Sequence, residues 1–128
     1  MATESDNLWI ASTSSLFCFS LSEHTITDIY TPNQDVSISC LYVDTVSHCL
    51  WVGTKSQGLL RFDIPTRQFA VVPITRGDFP EINAVLAHDS VLWLGTPEGI
   101  YAYRPQEQTY CLYNQKDGVD DGILRLQL

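Results

Sequence analysis

The chain is short of positive charge, of long apolar runs and of helical periodicity. Seven Lys and Arg, scattered along the chain, stand against 15 Asp and Glu in 128 residues, a formal net charge of -8. Affinity for a phosphate backbone comes mostly from Lys and Arg neutralising phosphates, so no nucleic-acid partner is expected. No stretch approaches the roughly 18 to 20 consecutive apolar residues of a spanning helix, which argues against membrane insertion. The start, "MATESDNLW", has neither a basic segment nor an apolar one, so it reads as no secretion signal and the chain as cytoplasmic. Cys18, Cys40, Cys49 and Cys111 show neither the C-x-x-C spacing of zinc sites nor the density of a disulfide scaffold. They read as free thiols, with a cross-strand Cys40–Cys49 disulfide left open because the two flank one short hairpin.

Catalytic and metal motifs are scarce as well. His24, His48 and His88 fall in turns or at strand ends, with no G-x-S-x-G or H-E-x-x-H context, whereas nucleophile, base and orienting group must converge. "KDGVDDG" (116–122) lacks the alternating Asp order and terminal Glu of a calcium loop. Arg76-Gly77-Asp78 is an adhesion tripeptide in letters only. No enzyme activity, metal or cofactor is therefore expected.

What the chain does have is apolar content and repetition. With 45% hydrophobic and 17% charged residues it is expected to fold, as a single domain over 1–128. "DNLWIASTSSLFCFS" (6–20), "HCLWVGTKSQGLLRFD" (48–63) and "DSVLWLGTPEGIYAYR" (89–104) are copies, with Trp9, Trp51 and Trp93 spaced by 42 residues both times. The repeats run over about 8–49, 50–91 and 92–128. Each copy offers four strand-like segments. The first is "LWIAS" (8–12), "LWVGT" (50–54) or "LWLGT" (92–96), and the second "LFCFS" (16–20), "LLRFD" (59–63) or "IYAYR" (100–104). The third is 25–31, 67–74 or 108–114, and the fourth "ISCLYVD" (38–44), "INAVLAH" (82–88) or "ILRLQL" (123–128). Apolar residues occupy both parities at Leu50-Trp51-Val52, Leu59-Leu60 and Val71-Val72, the pattern of sheets covered on both faces. A period of 40 to 50 residues with several short strands is that of a propeller. The fold class is all-β: a β-propeller with three four-stranded antiparallel blades, the tryptophans serving as blade-to-blade packing residues.

The unit "LWVGT…GLLRFD…F…V…INAVLAHD" resembles the two-component regulator propeller repeat over about residues 8–128. It shares the hydrophobic-Trp-hydrophobic-Gly-Thr strand (Gly53, Gly95), the Gly that opens the next strand (Gly58, Gly99) and the closing Ile-x-x-hydrophobic strand. The first copy departs, with Ala11-Ser12 for Gly-Thr and Ser15 for the strand-opening Gly. The resemblance implies a sensor domain in signal transduction, a glycan fragment or other small molecule as ligand, and a periplasmic location if the chain is a piece of a membrane sensor. It also implies that the closing strand is the innermost of its blade and the Leu-Trp strand the second.

On that order the chain opens on a second strand at Leu8, and "ILRLQL" of another copy would pair with "NLWIAS". Since three blades are too few for a ring, the expected partners are a second copy, head to tail, giving six blades, or the remainder of a larger propeller. The long acidic loops 31–37, 75–81 and 114–122 share one face with turns 12–15, 54–58 and 96–99. Asp35, Asp78, Glu81, Asp117, Asp120 and Asp121, with the inner-strand residues Asn83, Arg125 and Gln127, are the candidate ligand-binding residues. A protein-interaction scaffold is the alternative function.

Overall fold

The computed structural model describes residues 2–4, 6–32, 36–72 and 81–113. Their strands are β1 (Ala2–Glu4), β2 (Asn7–Ala11), β3 (Leu16–Ser20), β4 (Thr25–Tyr30), β5 (Ile38–Asp44), β6 (Cys49–Thr54), β7 (Leu59–Asp63), β8 (Gln68–Val72), β9 (Ala84–His88), β10 (Val91–Thr96), β11 (Gly99–Arg104) and β12 (Thr109–Tyr113). They form three four-stranded antiparallel sheets, β1-β2-β3-β4, β5-β6-β7-β8 and β9-β10-β11-β12, each a meander in chain order. The predicted strand at 123–128 lies outside the described residues.

Turn chemistry spaces the strands. At the second hairpin of each sheet a hydroxyl closes the turn. Thr54 donates to the Gly58 carbonyl (2.7 Å) and accepts from the Gln57 amide (2.9 Å), while Thr96 donates to Gly99 (2.9 Å) and accepts from the Gly99 amide (3.2 Å). Both threonines are fully buried, so the bonds satisfy hydroxyls that water cannot reach. Gly58 (φ 71°) and Gly99 (φ 149°) hold backbone angles that a side chain would strain. In the first sheet Ser12 plays the threonine's part, accepting from the amides of Ser14 and Ser15, and Ser15 keeps a negative φ. The hairpin between β9 and β10 turns through Asp89 (φ 51°) and Ser90 (φ 64°), both left-handed as a two-residue turn requires.

The three sheets stack face to face through two apolar layers. Between the first and second, Trp9, Leu16 and Cys18 meet Leu50, Val52, Leu60 and Phe62. Between the second and third, Trp51, Leu59 and Val72 meet Val85, Leu92, Leu94, Tyr101 and Tyr103. The middle sheet is thus buried on both faces, which is why β6 is buried at all six positions. Gly53 marks the closest approach: a Cβ there would collide with Cys40 Sγ and come within 2.8 Å of Ile82 Cγ2, the residue that leads into the third sheet.

Three expectations need correcting. The inner edge of β2 is taken by β1, with Ala2 opposite Trp9 and Glu4 opposite Asn7, so the chain does not open on a second strand and that edge has a partner from its own sheet. "ATE" has no apolar alternation by which a strand can be read. The Cys40–Cys49 disulfide is ruled out by register: Cys40 lies opposite Gly53 and Cys49 opposite Asp44, and all four cysteines are free. Finally, coverage on both faces fails at the outer strands, where Val72 is 6% exposed but Val71 56%. Stacked, twisted sheets diverge away from their inner strands, and the outermost strand meets solvent.

Candidate functional site

One end of the stack is built from the turns β2–β3, β6–β7 and β10–β11 together with the chain entering β5 and β9. Backbone bonds tie these pieces across and within sheets. The Ile38 amide donates to Thr13 (2.7 Å), Lys55 to Ser37 (2.9 Å), Ile82 to Thr54 (2.8 Å) and Asn83 to Gly95 (2.7 Å). The hydroxyls of Ser15 and Thr31 meet at 2.8 Å, and Ser39 donates to the Ile82 carbonyl. The described residues that enter β5 and β9 are therefore bonded to these turns and strand ends, giving a platform at this end.

A cleft of about 370 Å³ opens there between the first and second sheets, lined by Ala11, Ser12, Thr13, Ile38, Ser39, Cys40 and Leu41. Its polar groups are hydroxyls and backbone, with no charged side chain among them. Cys40 also lines it, but its thiol lies at the second seam, where it bonds weakly to the Ile82 carbonyl at 3.8 Å and burial raises its pKa, so it stays a neutral thiol at physiological pH. Such a lining suits neutral hydrogen-bonding ligands and offers no acid, base or activated nucleophile.

Of the residues expected at this end, Glu81 is half-buried and Asn83 exposed, both just ahead of β9. Asp35, Asp78, Asp117, Asp120, Asp121, Arg125 and Gln127 lie outside the described residues, as do the tripeptide 76–78 and the segment "KDGVDDG". The sequence reading missed Ser12, Thr13 and Ser39. The alternation Ser37, Ser39 at the start of an inner strand was the available signal, since every second residue there points away from the apolar layer.

A second cleft, of about 310 Å³, lies at the opposite end between the second and third sheets, where the turns β5–β6 and β9–β10 face Pro105 and Gln106. Asp44 stands in it. Burial works to raise its pKa, but hydrogen bonds from the Trp51 indole (3.1 Å) and the amides of Ser47 and Val46 outweigh that and hold the carboxyl below its ordinary range. His88 sits beside Asp89 at 3.2 Å on the rim, both largely exposed. His24, His48 and His88 belong to three different sheets. Among the described residues no group of three or more His, Cys, Asp or Glu is arranged to hold a metal ion.

No protein-family model and no curated protein matches the chain. Solved structures do. The extracellular domain of the hybrid two-component system BT3049 from B. thetaiotaomicron superposes with a TM-score of 0.68 at 18% identity, over 84% of this chain and 16% of that one. The extracellular domain of the hybrid two-component system BT4673 gives 0.66 at 19% identity, over 84% and 15%. The computationally designed Ika8 protein gives 0.65 at 13% identity, over 85% and 33%.

The fold is a β-propeller.

Its three sheets are blades, and the chain spans about a sixth of the length of the two sensor domains it matches. The 42-residue period and the tryptophan of each second strand are the blade period and the blade-packing position. Trp9 and Trp51 are buried between blades, as expected, while Trp93, at the same place in the third blade, is only half-buried.

Proposed function

We propose that this chain is a non-catalytic recognition unit of a sensing propeller, binding a small neutral polyhydroxylated molecule such as a glycan fragment at the platform end. The observation that carries the reading is the hydroxyl-lined cleft of Ser12, Thr13 and Ser39, set among turns whose backbone is fixed by the buried threonines. Hydroxyls and backbone groups on a rigid scaffold recognise sugars by geometry without a fixed charge. The acidic loop residues Asp35, Asp78, Asp117, Asp120 and Asp121 belong to the same proposal as further acceptors for sugar hydroxyls, with Glu81, while Arg125 would donate and Asn83 and Gln127 would do either. The likeness to extracellular sensor domains supports an extracellular or periplasmic setting. Calorimetric titration with a panel of neutral oligosaccharides tests it: at least one should bind, and Ser39→Val should weaken it about tenfold, the loss of roughly one hydrogen bond that a buried partner then lacks. Binding unaffected by Ser39→Val and Asn83→Ala, or none across the panel, would remove the reading.

A further inference from the structure

We propose that a second copy of this chain docks head to tail, the outward face of its first blade seating on the outward face of the third. Each internal seam is made by one set of positions. At the first seam, Trp9 and Tyr30 lie with ring centroids 6.2 Å apart, and Phe62 of the next blade packs against both, at 5.5 Å from Trp9 and 5.0 Å from Tyr30. Arg67, from that same next blade, lies over the two rings at 5.2 and 5.6 Å. At the second seam Tyr103 takes the position of Phe62, since both pair with the leucine before the blade tryptophan, and it packs into the layer that holds Trp51.

The third blade repeats the first blade's aromatic pair on its outward face. Trp93 and Tyr113 stand 6.4 Å apart at 32°, against 6.2 Å and 38° for Trp9 and Tyr30. Tyr113 pairs with Ile100 as Tyr30 pairs with Leu16, so the two pairs occupy the same register. Among the described residues nothing packs on this pair as Phe62 does on the other, and Tyr113 is 41% exposed.

The matching half is on the same chain. Phe19 pairs with Leu8 as Phe62 pairs with Leu50, and it faces outward from the first blade with Phe17, Leu8 and Ile10, all half-buried. Ile26 and Ile29, opposite Phe19 and Phe17, are 55% and 60% exposed. A continuous apolar face of this kind on a soluble chain marks an association surface. His24 holds the left-handed turn position that Arg67 holds in the second blade, with φ 58° against 63°, and would come over Trp93 and Tyr113. One chain thus carries both halves of a seam that it already makes twice, and two copies satisfy both by a heterologous contact. The contact is between blade faces, with β1 retained on the edge of β2.

Sedimentation of the 128-residue chain over a range of concentrations tests this. A reversible dimer is expected, and Phe19→Asp and Trp93→Asp should each weaken it at least a hundredfold. Far-UV circular dichroism and the melting transition monitor folding of each variant. Mixing the two variants should restore association through the one seam that remains intact. Four results would overturn the proposal: a monomeric wild type, as when residues 114–128 of the same chain cover the face; a dimer indifferent to both substitutions; two variants that associate no better mixed than alone; and loss of dimer only where the variant has unfolded, with Phe19→Ser and Trp93→Ser, the milder pair, folded and still dimeric.

Discussion

Trp9 with Tyr30 and Trp93 with Tyr113 are nearly the same pair of rings in two settings. The first is sealed by Phe62 and Arg67 of the next blade, and the second is the outward face of the third blade. Identical local chemistry therefore has different energetic weight according to what lies opposite. A propeller blade cannot bury its own face; a neighbour does it. The middle blade, with a neighbour on each side, is the best-covered part of the molecule, and the outward faces of the first and third blades keep half-buried Phe17, Phe19 and Trp93.

The comparison can be broken in several ways. Trp9→Ala should cost about 3–5 kcal/mol in urea denaturation, whereas Trp93→Ala, in dilute solution, should cost about 1 kcal/mol or less; equal losses would mean that the two faces do not differ. Gly53→Ala should destabilise by about 1–3 kcal/mol, because its new methyl meets Cys40 and Ile82 at the second seam. Asp44→Asn removes the charged acceptor of the Trp51 indole, with an expected loss of about 0.5–1.5 kcal/mol near neutral pH. Because the folded pKa of Asp44 is depressed, its contribution is present above the ordinary carboxylate pKa and lost as pH falls through the folded value. The wild-type melting temperature should therefore drop more steeply than that of Asp44→Asn below about pH 4. Arg67→Met should be the mildest change, about 0.5–1 kcal/mol, since the methionine keeps contact with Trp9 and Tyr30 while losing the cation.

Much of this architecture was legible in the chain because repetition averages over local ambiguity. Each Leu-Trp strand is a short apolar run that alone fits a strand or a helix, but three copies at one spacing, each followed by a turn and a second run, fit only stacked meanders. Strand β1 escaped because three residues, "ATE", are too few to show an alternation in sequence. The exposure of Val71 escaped because apolar runs reveal an apolar residue and not the divergence of blades at their rims. At the platform, Ser12, Thr13 and Ser39 are unremarkable polar residues in sequence, brought together only by the stacking of two blades. The sequence expectation rested instead on acidic loop residues that stand out individually.

The central claim, that a blade tryptophan is sealed where a neighbouring blade packs on it and only half-buried on the third blade's outward face, is tested most directly by acrylamide quenching. The measurement uses three chains that each keep one tryptophan and carry Phe in place of the other two, all with Phe19→Asp so that no second copy covers Trp93. Quenching of Trp9 and Trp51 should be slow, and that of Trp93 several-fold faster. Three tryptophans quenched alike, or Trp9 quenched as readily as Trp93, would contradict the account.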